Sequence, residues 1–276
     1  MHTPIIAIIG AGNMGRSLIG GLIKDSHPAN KIWASDTNTE RLAELQNNFG
    51  IHTTADNAVA AQSANVLVFA VKPQSFANVA TDLASVIQKT KPLVISIAAG
   101  IRESSIQHWL GGDCAIVRTM PNTPALIGCG AAALYANTYV SHEQRNVAES
   151  ILRAVGVAVW LHDENLMDTV TALSGSGPAY FFLMMEALQQ AAESFGLPGE
   201  TARLLTMQTA LGAARMAIES GEPLDVLRHN VTSPGGTTEK ALSVLEEKHL
   251  REIFKSALSA AKQRSEELAE IIGKLN

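Results

Sequence analysis

The sequence predicts an α/β amino-terminal half built on a parallel sheet, followed by an all-α carboxy-terminal half. Three observations predict it. Short apolar runs without polar alternation recur up to about residue 162, each followed by a stretch of helical spacing, as expected of strands buried on both faces. From Asp163 onward the spacing is helical throughout, and Ala, Leu, Met, Glu and Gln dominate. The first apolar run breaks into a glycine pattern that opens the next helix. The expected domains are therefore 1–162 and 163–276.

That first run is Ile5-Ile6-Ala7-Ile8-Ile9, and it continues as Gly10-Ala11-Gly12-Asn13-Met14-Gly15. Gly10 permits a tight turn, Gly12 lets the backbone approach a pyrophosphate, and Gly15 lets the new helix pack on the strand. The free N–H groups at the helix start then face the phosphates. Met14, Leu18, Leu22 and Ile23 keep helical spacing, and 31–36 reads as a second strand, completing a Rossmann-type β-α-β unit that binds a dinucleotide. Asp36 lies about twenty residues beyond Gly15, where a carboxylate accepts the ribose hydroxyls of NAD and repels a 2′-phosphate unless cations offset it. Arg41 is the one cation near it in sequence, and it reads as a solvated residue of the helix over 40–45.

The run 65–71 is a strand buried on both faces that ends in Lys72-Pro73. Ligands of such sheets sit beyond the carboxyl ends of strands, so Ala70-Val71-Lys72-Pro73 is a candidate cofactor wall; Pro73 equally suits the start of a helix. The strand 93–97 leads into Ala98-Ala99-Gly100, small residues that leave room for a bulky ring. The strand 114–118 leads into Met120-Pro121-Asn122-Thr123-Pro124, a rigid loop at the ligand-facing edge. Strands over 131–135 and 157–160, with a helix over 141–154 between them, complete the sheet.

In the second half, Pro178 fits the first turn of a long helix through Phe195, and 200–221 and 250–274 read as further helices. Apolar residues over 179–219 cover more than one face of each helix, which implies packing against a partner chain. Leu173-Ser-Gly-Ser-Gly-Pro178 lacks G-x-S-x-G and reads as a helix start, not a nucleophile turn. In Asn230-Val-Thr-Ser-Pro-Gly-Gly-Thr-Thr238, the N–H groups of Gly235, Gly236 and Thr237 form an anion nest before a helix starting near Thr237. Ser233 and Thr238 add hydroxyls, so the stretch suits a carboxylate.

Composition narrows the partners. The 276 residues, 46% hydrophobic, fill two modest cores. A net charge of −5 without any Lys/Arg cluster argues against nucleic acid or an anionic membrane, which leaves a small-molecule substrate. Cys114 and Cys129 form no Cys-x-x-Cys and read as buried small hydrophobes, and the histidines show no ligand spacing, so no metal site is expected. Without a signal-peptide pattern or a membrane-span run, the expected compartment is the cytoplasm.

Ile9-Gly-Ala-Gly-Asn-Met-Gly15, Ala70-Val-Lys-Pro73, Ala98-Ala-Gly100, Met120-Pro-Asn-Thr-Pro124, Leu173-Ser-Gly-Ser-Gly-Pro-Ala-Tyr180 and Ser233-Pro-Gly-Gly-Thr-Thr238 stand in the order of one family's motifs. Over nearly its whole length the chain resembles pyrroline-5-carboxylate reductase. The resemblance implies NADPH- or NADH-dependent reduction of the cyclic imine carboxylate to L-proline, the last step of proline biosynthesis. It also implies homodimers that interlock through a helical dimerisation domain and assemble into decamers. By the same resemblance Glu164, Asn230, Thr237 and Thr238 contact substrate or cofactor, and Asn57 lies near the adenosine ribose. The family often prefers NADPH, whereas Asp36 suits NADH, so the choice stays open.

The chemistry agrees with the residues. Imine reduction needs a hydride donor against one face of the carbon, a grip on the carboxylate and a hydrogen-bonding group near the nitrogen. Gly235, Gly236 and Thr237 suit the grip, Thr238 the nitrogen, and Glu164 a nearby water or cation. Two other readings are weaker. A β-hydroxyacid dehydrogenase uses a helix-borne lysine, and this chain has none between Lys91 and Lys240. A non-catalytic NAD(P)H-binding redox sensor has no need of a second anion site at 233–238.

Overall fold

A tetrapeptide buried on both faces belongs in the interior of a sheet, and Ile6–Ile9 (β1) occupies such a place in the computed structural model, which describes residues 3–273. The chain continues through α1 (Asn13–Lys24), β2 (Ile32–Ser35), α2 (Thr39–Phe49), β3 (His52–Thr54), α3 (Asn57–Gln62), β4 (Val66–Phe69) and α4 (Pro73–Thr90). Then come β5 (Leu93–Ser96), α5 (Glu103–Leu110), β6 (Ile116–Met120), β7 (Gly130–Ala136), α6 (His142–Arg153) and β8 (Gly156–Trp160). The strand order is β3-β2-β1-β4-β5-β6-β7-β8, parallel except that β7 runs antiparallel to β6. The α/β Rossmann-type reading holds. Only β3 had no signal, because His52-Thr53-Thr54 is a short edge strand without an apolar run.

Side chains alternate across the pleat to feed two cores. Ile6 and Ile8 of β1 join Leu18, Ile19 and Leu22 of α1 on one face. Ala7 and Ile9 join Leu67, Phe69, Phe76 and Leu83 on the other. The chain winds outward from β1 to β3, then returns to β4 on the opposite side of β1. The β1–β4 boundary is therefore the topological switch point, beyond whose carboxyl edge ligands bind in such folds.

After β8 the described residues are helical throughout. They comprise α7 (Met167–Val170), a π-helical turn over Thr171–Gly175, α8 (Gly177–Ser194), α9 (Gly199–Ser220), α10 (Leu224–Asn230), α11 (Thr237–Glu247) and α12 (Leu250–Gly273). Lys274, at the end of the expected last helix, lies outside the described residues. The chain forms two compact units, Met1–Ser176 with Ala260–Asn276, and Gly177–Ser259. The change of residue character at 163 and the division at 176 thus fall at different places. Packing explains why: Met167 and Asp168 are buried, Ser265 donates to Asp168 Oδ1 at 2.6 Å, and Ile272 joins the core beneath β1 and β4.

Cys114 is buried as expected, but Cys129 is exposed, because it follows the surface turn Thr123–Ile127 and the left-handed Gly128. Among the described residues no helix is long and apolar enough to cross a membrane, and no group of three or more His, Cys, Asp or Glu could hold a metal.

In the second unit, α8 buries only Gly177 and α9 only Ala202. Phe181, Phe182, Leu183 and Leu204 are each more than 60% exposed, as expected of helices whose apolar faces require a further partner. Light scattering should therefore return the mass of an oligomer, and the mass of a single chain would contradict this.

Candidate active site

The turn after β1 is dictated by sterics. Gly10 has φ +100°, and a Cβ there would lie 2.7 Å from the Ala70 carbonyl oxygen, so neither the conformation nor the space admits another residue. A Cβ on Gly15 would strike the Gly10 carbonyl, so α1 can lie against the turn only with glycine at that place. A Cβ on Gly12 would meet nothing within 4 Å. Gly12 is also the N-cap of α1 and brings no side-chain cap. The first-turn amides of Asn13, Met14 and Gly15 thus open into a cradle that a side chain at 12 would fill. A dinucleotide pyrophosphate fits these donors and this opening.

The Ala11 amide is engaged otherwise, donating to Asp36 Oδ2 at 2.8 Å. Asp36 Oδ1 accepts the Asn38 amide at 2.8 Å, and Arg41 Nη1 stands 3.2 Å from Oδ2. Arg41 is exposed on α2, as expected, and is in addition a partner of Asp36, because position 41 lies in the first turn of α2, beside the end of β2. Arg16 and Arg41 flank a concavity of about 160 Å³ beside Gly12 and Asn38, together with Glu40 and Glu44. Asn57, the first residue of α3, accepts the Ser35 hydroxyl at 2.7 Å and so sits beside the end of β2.

The other sequence-predicted cofactor residues of this unit follow along the same carboxyl edge. Ala70 donates to the Ile9 carbonyl at 2.8 Å, Lys72 is the N-cap of α4 and Pro73 its first residue. Ala98, Ala99 and Gly100 follow β5, Met120 ends β6, and Pro121 is buried behind it.

Glu164 belongs to the same unit. Its Oε1 accepts from Arg118 Nη1 and, at 2.6 Å, from the Glu103 amide in the first turn of α5. Arg118, at 5% exposure, sits inside a buried strand, a place where a cation needs a carboxylate partner. Arg118 is not among the site residues expected from the sequence; its one signal there is an arginine in an otherwise apolar run. Tyr135 pairs with Arg118 in the β6–β7 register. Burial and the nearby Glu164, Glu103 and Asp163 push its phenol up, so it stays protonated at neutral pH.

The second set of residues lies in the other compact unit. Asn230 is the exposed last residue of α10, and Thr237 and Thr238 form the first turn of α11, whose N-cap Gly236 brings no side-chain cap. Thr238 is half-buried, whereas Ser233, Gly235 and Thr237 are exposed. The expected three-amide nest is only partly formed. Gly236 donates to the Ser233 carbonyl at 3.0 Å, closing a tight turn, while Gly235 donates to Glu239 Oε2 at 2.7 Å. The chain's own carboxylate thus occupies one of the predicted amides.

A glycine turn at the switch point, an open helix N-terminus and an acid ending the second strand define a Rossmann-type dinucleotide-binding protein. Residues 5–100 match a family model described as NADP oxidoreductase, coenzyme F420-dependent, and residues 164–268 one described as pyrroline-5-carboxylate reductase dimerisation. A pyrroline-5-carboxylate reductase of Pseudomonas aeruginosa is 50% identical over 273 residues, covering 99% of this chain and 100% of the relative. The solved structure of a pyrroline-5-carboxylate reductase from Coxiella burnetii superposes with a TM-score of 0.94 at 49% identity, over 97% of this chain and 99% of that one. A Plasmodium falciparum pyrroline carboxylate reductase solved with NADP bound gives 0.85 at 28% identity, over 98% and 99%. The chain belongs to the pyrroline-5-carboxylate reductase family.

The glycines of the turn should separate by experiment. Gly10→Ala should lower stability by roughly 1–3 kcal/mol in urea unfolding, the scale of a strained backbone site. Gly12→Ala should change it by less than about 0.5 kcal/mol, as at an open surface position. Equal losses would contradict the different surroundings of the two residues.

Proposed function

We propose that this chain reduces 1-pyrroline-5-carboxylate to L-proline, the last step of proline biosynthesis, with NADPH or NADH as reductant. Likeness over the full length carries the reading, because the Pseudomonas aeruginosa relative spans both the glycine turn and the 233–238 loop. The open amides at the start of α1 support the cofactor half independently.

In this reading Asn13, Met14 and Gly15 bind the pyrophosphate through their amides, and Gly12 leaves it room. Gly10 and Ala11 shape the turn. Asp36 and Asn57 hold the adenosine ribose, with Arg41 releasing part of the Asp36 carboxylate. Ala70, Val71, Lys72 and Pro73 wall the cofactor on one side, Met120 and Pro121 on another, and Ala98, Ala99 and Gly100 leave space for the ring. Asn230 makes a further cofactor contact. When bound, a reduced nicotinamide supplies the hydride that turns the imine carbon into that of a secondary amine.

Ser233, Gly235 and Thr237 grip the substrate carboxylate, and Gly236, whose amide is spent on the Ser233 carbonyl, shapes the loop around it. Gly235 already binds the Glu239 carboxylate, which supports the loop as a carboxylate site and makes Glu239 the group that substrate displaces. Thr238, in the first turn of α11, hydrogen-bonds the ring nitrogen as the catalytic residue. A protonated imine is already electrophilic, so a hydroxyl suffices there and no strong acid is required. Glu164, with Oε1 held by Arg118, offers Oε2 to a water or to the iminium.

The dinucleotide role falls to residues 1–162 and the substrate and dimerisation role to 163–276, in homodimers that assemble into decamers. The exposed apolar faces of α8 and α9 support the dimer. Two free cysteines fit a reducing compartment, the cytoplasm.

Addition of pyrroline-5-carboxylate should oxidise NADPH or NADH, and absence of turnover with both would remove the proposal. Thr238→Ala should cost about 1.5–3 kcal/mol in kcat/KM, the scale of a hydrogen bond to a charged group; an unchanged value takes Thr238 out of the mechanism. Asp36→Ser should raise the NADPH/NADH ratio of kcat/KM, since a carboxylate beside the ribose repels the 2′-phosphate. A ratio that does not move shows that the carboxylate does not meet the ribose.

A further inference from the structure

At the end of β6 the chain turns through Met120-Pro121-Asn122-Thr123-Pro124, and no role given above uses Asn122. Its half-buried side chain is engaged in two directions. Oδ1 accepts the Ala131 amide at 2.9 Å, near the start of β7, and Nδ2 donates to the Ser174 carbonyl at 3.0 Å.

The second bond answers a defect written into the sequence. In an α-helix the carbonyl of residue 174 receives the N–H of residue 178, and residue 178 is proline, which has none. The chain passes this point through the π-helical turn Thr171–Gly175, in which Ser176 donates to the Thr171 carbonyl at 2.8 Å. Such turns are rare and occur mostly as single interruptions of a helix, often at functional sites. The amide of Asn122 thus supplies, from another part of the chain, the donor that Pro178 lacks.

Met120 meets the same turn. A Cβ on Gly175 would stand 2.5 Å from Met120 Cε, so the missing side chain at 175 is the space in which the Met120 thioether ends. Two adjoining residues of the π-helical turn, Ser174 and Gly175, are therefore matched to Asn122 in the loop after β6 and to Met120, the last residue of that strand. The loop's own hydrogen bonds, Ala125 to the Asn122 carbonyl at 3.1 Å and Cys129 to the Pro124 carbonyl at 3.0 Å, lie beyond Asn122. They do not hold Pro121, and Met120 is held on its β7 side by pairing with Ala133.

We propose that Asn122 is a positioning residue for the reduction: its side-chain amide ties the Met120–Pro121 turn to the π-helical turn, and so fixes the cofactor wall that this turn forms. The proposal rests on the reading of Met120 and Pro121 as cofactor contacts. It concerns the part of the cofactor site beyond β6, away from the glycine turn after β1, so the two halves of a dinucleotide should report on it differently.

Asn122→Asp keeps the acceptor for Ala131 and removes the donor to Ser174. Affinities for NADH, NADPH and ADP-ribose, which lacks the nicotinamide, are to be measured by calorimetry beside kcat/KM. The expected result is about a tenfold loss of affinity for the better-bound nicotinamide nucleotide and a similar loss in kcat/KM, with ADP-ribose binding held within about twofold. Adding Pro178→Ala gives Ser174 a backbone donor without restoring the tie, so it should leave the loss in place; recovery would show that only the unsatisfied carbonyl mattered and would overturn the proposal. Asn122→Ala removes the donor without setting a carboxylate against the Ser174 carbonyl, and should give the same split; it decides the matter if Asn122→Asp does not fold. Equal losses for ADP-ribose and the nicotinamide nucleotides, or no loss at all, would overturn the proposal. A wild-type chain that binds neither nicotinamide nucleotide would instead overturn the reductase reading itself.

Discussion

The fold around the candidate site depends on one close approach, that of the Ala70 carbonyl to the Cα of Gly10 at the carboxyl ends of β1 and β4. These two strands meet where the winding of the sheet reverses, so the helices that follow them leave toward opposite faces and open a crevice between. The crevice is usable only because residue 10 has no side chain and takes a left-handed backbone. That conformation aims the chain into α1 so that its N-terminal amides face the crevice. Gly15 then lets α1 settle onto the turn, and the Ala11 amide is drawn to Asp36 at the end of the neighbouring strand. Asp36 is thus an internal partner of the loop as well as a candidate ribose ligand. Two of its engagements are to backbone amides, which holds the carboxylate in place whichever nucleotide is present.

Buried charge organises the other end of the sheet's carboxyl edge. Arg118 interrupts a strand that is otherwise apolar, and it is tolerated because Glu164 neutralises it while also capping α5 through the Glu103 amide. An unpaired guanidinium there would carry a large desolvation cost, so the pair secures the segment after β8 to the sheet. Asp168 and Ser265 repeat the device one turn further on, bringing the end of α12 back to the first compact unit. The second unit has the opposite character. Its helices expose phenylalanine and leucine along much of their length, an apolar surface suited to cover by another chain.

Much of this was legible in the residues. The strands were readable because parallel strands covered on both faces must be apolar without alternation, and the glycine turn because its backbone excludes other residues. Asp36 was readable from its distance to Gly15. Harder to read were features whose partners lie far along the chain. Nothing near Arg118 in sequence announces Glu164. Nothing near Asn122 announces that Ser174 lacks a donor, although Pro178 signals the defect to a reader who asks where each helical carbonyl is satisfied. Cys129 looked like a core residue by type, and only its place after a surface turn exposes it.

The sequence by itself determined the α/β and all-α halves and the dinucleotide turn, and it singled out 233–238 as a candidate anion loop, since each depends on local periodicity or on the steric demands of a few consecutive residues. Tertiary structure alone decided where the compact units divide, which amides of the glycine stretches remain open, and which carboxylates are already engaged. Gly235 and Gly236 show the difference within two residues. Both were expected to present amides to an anion, yet one is turned inward to Ser233 and the other already holds Glu239. A hydrogen bond is made by atoms that meet in space, and a sequence lists donors without saying which acceptors will reach them first.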